Sequence, residues 1–190
     1  MLIELQRAKK IQRLSRILRY TMFGAFIILP LFAAGFWMTD GYSGIAPWLS
    51  SRWLPVLDNV EVPPFNELDN TIKFLAFLVN MIPISIHMLV LFFLALLFMQ
   101  YEQLQIFSEK SVKTIRKVGY TLLLGQCLHP IYLGLLSLVL TISNPPGHRT
   151  ITVGLGNDQL TLVVVALIII LISWIMEEGR KMHEEQEATV

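Results

Sequence analysis

Two histidines lie deep inside long apolar runs of this 190-residue chain, His87 in "VNMIPISIHMLV" and His129 in "GQCLHPIY". An imidazole can donate or accept a hydrogen bond, carry a proton, or ligate a haem iron. Asn80 precedes His87 by seven residues and Gln126 precedes His129 by three. At roughly 100° per residue, each histidine therefore shares a helical face with a carboxamide. Asn80, Pro83 and His87 make one polar stripe, and Gly119, Gln126, His129 and Ser137 make another. His87 is 14 residues from Lys73 and His129 is 14 residues from Ser143, which predicts rings at a similar depth. Pro130 leaves the carbonyl of Gln126 without its helical donor; Pro83 does the same to Val79, and Pro30 to Phe26.

Three chemistries fit these residues. The first is interhelical hydrogen bonding that fixes the packing. The second is an ion, proton or small-solute site. The third is axial ligation of a haem b by His87 and His129. All three share one expectation: the two stripes face each other and both imidazoles turn inward. His87, His129, Gln126 and Asn80 are thus the candidate ligand residues, and haem b the candidate cofactor. No metal site is expected, because Cys127 is the only cysteine and no ligand cluster has metal spacing. Neither G-x-S-x-G nor H-E-x-x-H occurs, and no carboxylates pair within the apolar runs. The chain is therefore read as non-enzymatic, with no catalytic residue assigned.

The elements that must position these groups are membrane helices. The chain is 54% hydrophobic and 15% charged, against about 25% charged in an ordinary soluble domain. Its apolar residues cluster into four runs, residues 20–38, 72–99, 118–142 and 160–176. About 20 residues cross the hydrocarbon core, with a range of roughly 17–25. The prediction is an all-α integral membrane protein, a single four-helix domain over residues 1–190. The second run exceeds the span length, which predicts tilt, a kink at Pro83 or protrusion.

Charge distribution orients the spans. Six cations (Arg7, Lys9, Lys10, Arg13, Arg16, Arg19) precede the first run. Lys110, Lys113, Arg116 and Lys117 lie between the second and third, and Arg180 and Lys181 follow the fourth. Only Arg52, Lys73 and Arg149 fall on the other side. A Lys and Arg excess marks the cytoplasmic face, so both termini are expected inside. About 19 residues precede the first apolar run and no small-residue cleavage site follows it, so that run is expected to stay in the protein.

Leu2, Leu5, Ile11, Leu14 and Leu18 recur at helical spacing, with the cations mostly opposite. This predicts a basic amphipathic helix at the inner leaflet that runs into the first span. The first outer connection, residues 39–71, carries six glycines and prolines and Trp48 and Trp53, with "PWLSSRWLPVL" a candidate interfacial helix. Asp69 or Asn70 is the expected cap of the second span, and Ser108 that of the third. In the second outer loop "RTITV" alternates and predicts a short extended piece.

Two stretches on the inner face carry a resemblance. "IFSEKSVKTIRKVGY" (106–120) has a phenylalanine, a short polar cap, a Val-Lys pair, then a basic pair and a glycine leading into a span. "MEEGRKMHEEQEATV" (176–190) has Glu-Gly, basic residues, paired acids and a final Thr-Val. Together, in a chain of four spans, these resemble the domain-of-unknown-function family 2975 (DUF2975), small bacterial inner-membrane proteins. The resemblance implies a multi-pass inner-membrane location and no established activity. It also implies association with small helix-turn-helix regulators. Lys113, Arg116, Lys117, Glu177 and Glu178 fall within the matched stretches, and are the candidate cytoplasmic docking residues.

The functional reading is a non-enzymatic inner-membrane protein with a regulatory or accessory role, acting through its cytoplasmic face. The alternative is a small carrier or haem-binding redox protein built on His87 and His129. The expected partners are the lipid bilayer and a cytoplasmic regulatory protein or another membrane subunit. Direct nucleic-acid binding is not expected.

Overall fold

A computed structural model describes residues 2–38, 67–145, 147–154 and 157–188. Four helices follow in order: α1 (Leu2–Met38), α2 (Asn70–Glu102), α3 (Glu109–Thr141) and α4 (Asn157–Ala188). No strand occurs among the described residues. All four helices are long and apolar enough to cross a membrane, so the chain is an all-α membrane protein. The basic first segment and the first apolar run form one uninterrupted helix. Most of the first outer connection, including "PWLSSRWLPVL", lies outside the described residues.

The chain divides into two compact units. The first comprises Met1–Ile27, Ile86–Gln126 and Asn157–Val190; the second comprises Ile28–Ser85 and Cys127–Gly156. The divisions within α1, α2 and α3 each fall within about one helical turn of that helix's proline, Pro30, Pro83 or Pro130. The helix α4 has no internal proline and lies wholly in the first unit.

In the first unit the α2–α3 turn is tightly specified. Gln105 donates its amide to the Gln100 carbonyl, and Leu104 donates to Tyr101. This is the paired bonding of a Schellman cap. The left-handed position belongs to Leu104, at φ 60°, where glycine is usual. Ser108 then caps α3, its Oγ accepting from the Ser111 amide at 3.2 Å and its carbonyl from Val112 at 3.1 Å. The expected cap is therefore present.

Close backbone approach sets the neighbours of α3 in this unit. A Cβ built on Gly119 would lie 2.6 Å from Ile170 Cγ1 and 3.2 Å from the Ala166 carbonyl, on α4. One built on Gly125 would lie 2.8 Å from Ile86 Cγ2, on α2.

In the second unit the core joins Phe36 and Trp37 of α1, Leu68, Ala76 of α2, and Tyr132, Leu136 and Leu140 of α3. Phe36 and Trp37 meet edge to face at 5.5 Å. Asp69 caps α2, accepting the Thr71 amide on Oδ2 at 3.3 Å and the Lys73 amide on its carbonyl at 3.0 Å. The "RTITV" segment forms no strand, yet it runs against α3 in an extended register. The Thr150 amide donates to Thr141 Oγ1 at 3.3 Å, and the Thr152 amide donates to Ser137 Oγ at 2.9 Å. Four helical residues rise about 6 Å and two extended residues about 6.7 Å, so the two periods match. Ile151 and Val153 stay largely exposed, with their Cγ2 atoms 3.7 and 3.6 Å from where a Cβ on Gly134 of α3 would stand.

Candidate functional site

Among the described residues in the apolar part of the second unit, Asn80 and Tyr132 meet. The Tyr132 hydroxyl donates to Asn80 Oδ1 at 3.3 Å. Asn80 is 3% exposed and Tyr132 4%. Tyr132 is the one core aromatic here with a hydroxyl, and a buried hydroxyl needs a partner. His129 is half-buried, one turn before Tyr132 on α3, with ring centres 5.8 Å apart and tilted 49°. Neither of two clefts in this unit is lined by Asn80 or His129. One is walled by Trp37, Phe74 and Phe77, the other by Pro130, Ile131 and Leu135.

The remaining two candidate ligand residues belong to the first unit. Gln126 is half-buried, and His87 lies exposed on α2. The expectation that both imidazoles turn inward therefore does not hold for His87. The expected single stripe along α3 also divides among several partners. Gly119 lies against Ala166 and Ile170 of α4, His129 beside Tyr132, and Ser137 beneath Thr152. The physical reason is that a 33-residue helix meets different neighbours along its length, while a shared angle specifies only direction. Among the described residues, no group of three or more His, Cys, Asp or Glu side chains could hold a metal ion.

The densest polar arrangement lies in the first unit, around the α2–α3 turn and α4. Ser111 is fully buried; its Oγ approaches Gln100 Oε1 at 2.8 Å and the Gln105 carbonyl at 2.5 Å. Gln100 Nε2 reaches Thr114 Oγ1 at 3.4 Å. These bonds fix the turn to the first coil of α3. Glu102, the last residue of α2, receives Arg16 Nε at 2.6 Å and Arg19 at 3.0 Å. Its carboxylate ties two arginines one turn apart on α1 to the end of α2.

The docking candidates from the sequence mostly have internal partners. Arg116 Nε donates to Ser173 Oγ at 3.3 Å, and its guanidinium stands 3.8 Å from Glu177. Arg116 and Gly119 are one turn apart on α3, and Ala166, Ile170, Ser173 and Glu177 form one stripe on α4. The ion pair and the glycine contact thus belong to the same helix seam. Glu177 also holds Arg180 at 3.0 Å, while Glu178 stands 3.8 Å from Lys181. Lys113 pairs with Glu109 one turn away. Lys117 Nζ lies 5.7 Å from the Phe93 ring centre, within cation–π range. Exposed ion pairs of these kinds contribute little each.

The matched motif residues thus build the α2–α3 turn and the α3–α4 seam. A family model described as protein of unknown function (DUF2975) matches residues 50–190. The chain belongs to the DUF2975 family. No curated protein and no solved structure matches it. Sequence reasoning about this DUF2975 chain missed Tyr132, Glu102, Gln100, Ser111 and Ser173. The spacing of His129 to Tyr132 could have pointed to the phenol. The acid Glu102 directly after "MQY", at the same membrane end as Arg16 and Arg19, could have pointed to their ion pair.

The DUF2975 match also takes in the apolar tip of the α2–α3 turn. Phe107 is 69% exposed and Leu104 45% exposed. Both flank the buried Ser111–Gln100 bonds, so two large apolar side chains are presented on a fixed backbone.

Proposed function

We propose that this DUF2975 protein is a non-enzymatic regulatory or accessory protein of a bacterial inner membrane, with both termini cytoplasmic. It acts by docking a protein partner at the tip of the α2–α3 turn. The observation that carries this reading is Leu104, a β-carbon residue at φ 60° whose side chain is nearly half exposed. Left-handed backbone costs a leucine on the order of 1 kcal/mol, which glycine would avoid. Strain retained at an exposed position is a mark of function. Phe107 adds a second exposed apolar anchor, and Lys110 an exposed cation beside it. Twelve of the chain's fifteen Lys and Arg lie on the side assigned to the cytoplasm, which supports the orientation.

Two experiments test this. Cysteines are placed singly at Ser43→Cys and Ala188→Cys in a Cys127→Ser background. An impermeant reagent should label intact cells at position 43 and not at 188; labelling at 188 overturns the orientation. A photocrosslinker at Phe107 in native membranes should give one discrete protein adduct, absent when the probe is at Ile151. Crosslinking to lipid alone would show that the tip is a bilayer anchor and would overturn the docking reading.

A further inference from the structure

The exposed arc of α1 in the first unit carries cations and apolar residues on the same side. Lys10 and Leu14 are one turn apart, as are Lys9 and Arg13, and Arg13 and Ile17. Leu14 is 55% and Ile17 56% exposed, and Tyr20 continues the same side one turn on. The opposite side turns inward, with Ser15 buried. Lys9, Lys10 and Arg13 share this exposed arc with Leu14, Ile17 and Tyr20. Lys9, Lys10 and Arg13 have no ion-pair or hydrogen-bond partner among the described residues. Arg16 and Arg19, by contrast, are engaged by Glu102.

An exposed apolar helix face in a membrane protein faces lipid chains. Cations continuing that face stand where the chains end and the headgroups begin, from about 10 Å (Arg13) to about 17 Å (Lys9) along the helix from Tyr20. Lysine and arginine there lay their apolar stems along the hydrocarbon and extend the charge to the phosphates. The two arginines on Glu102 favour this rotation of α1, with the face turned outward. We infer that Lys9, Lys10 and Arg13 form a binding surface for the headgroups of anionic phospholipids. A soluble acidic protein would need cations pointing away from the bilayer, not in line with Leu14 and Ile17. This surface is distinct from the α2–α3 tip, and its test uses no partner protein, so either reading can fail alone.

The test uses the purified full-length chain, stripped of lipid and titrated with phosphatidylglycerol or phosphatidylcholine, with adducts counted by native mass spectrometry. Polybasic segments gain several-fold per cation on an anionic surface. Phosphatidylglycerol should therefore bind on the order of ten-fold tighter than phosphatidylcholine, and the preference should shrink in high salt. The triple variant Lys9→Gln, Lys10→Gln, Arg13→Gln should lose the preference while keeping its melting temperature in phosphatidylcholine. Lys113→Gln, at a cation already paired within α3, should keep it. Equal binding of the two lipids, or an unchanged preference in a folded triple variant, overturns the proposal. Full competition by millimolar inorganic phosphate also overturns it, because the surface would then be a phosphate site and not a lipid one.

Discussion

Tyr132 donates its phenolic hydrogen to Asn80 across 3.3 Å, with both side chains buried. The bond joins α2 to α3 within the second unit. Hydrogen bonds between membrane helices contribute roughly 0.6 kcal/mol on average, up to about 1.7. Tyr132→Phe should therefore lower stability by about that amount, read as the denaturation midpoint in a fixed detergent. Asn80→Ala should cost more, because it leaves the hydroxyl buried without an acceptor. A double variant that loses less than the sum of the two single losses would show coupling through this bond; additive losses would count against it.

Gly119 has no room for a side chain. Its added β-carbon would stand 2.6 Å from Ile170 Cγ1 and 3.2 Å from a backbone carbonyl of α4. Gly119→Ala should destabilise by about 1–3 kcal/mol, the usual range for overpacking. Gly179→Ala, which meets nothing within 4 Å, should be neutral or slightly stabilising, since alanine is the better helix former. A Gly119→Ala protein as stable as the parent would refute the close approach of α3 and α4.

Leu104→Gly should raise stability by up to about 1 kcal/mol, by relieving the left-handed leucine at the helix end. The same substitution removes an exposed anchor of the proposed docking tip. A variant that melts higher and yet loses the Phe107 crosslink would separate stability from function at a single residue. A variant that melts lower would show that the leucine side chain stabilises the turn more than its backbone strains it.

The cap of α2 predicts an acid dependence. Hydrogen bonds from the Thr71 side chain, and then from its backbone amide, hold the Asp69 carboxyl below its ordinary value. The unfolded chain therefore binds the proton more readily than the folded one. The contribution of Asp69 is present above the unfolded value, about 3.9, and is lost as pH falls through the lower folded value. Melting temperatures compared at pH about 6 and about 3 should fall further for the parent than for Asp69→Asn. Parallel curves would remove Asp69 from the account.

Most of the fold was legible because hydrophobic length and local capping are properties of consecutive residues. Four apolar runs gave four helices, and Ser108 and Asp69 cap where short-range chemistry required. The helices run beyond the runs because polar residues such as Lys110 to Lys117 continue a helix as readily as apolar ones. The site was less legible. Asn80 was visible as a polar residue among apolar ones, but its partner Tyr132 reads as aromatic filler until the helix rotations are known. His87 and Asn80 share a nominal face, yet one is exposed and the other buried. Seven residues on an α-helix fall short of two full turns by roughly 20°, and proline at position 83 sits between them. Leu104 could not be found at all, because nothing in its side chain announces a left-handed backbone.

The extended segment after α3 has a consequence for its own placement. Backbone amides are chemically alike, and the hydroxyls of Thr141 and Ser137 are spaced to receive any two that lie two residues apart. A slip of two residues would bring the amides of Thr152 and Gly154 to the same hydroxyls, with every hydrogen bond restored. The ladder by itself therefore cannot choose its register. The choice falls to the turn that feeds it, where Asn144 Nδ2 donates to the His148 carbonyl and Arg149 Nε to the Asn144 carbonyl. That turn works as a measuring length: adding or deleting two residues within it should yield a folded protein whose segment has moved one notch along α3.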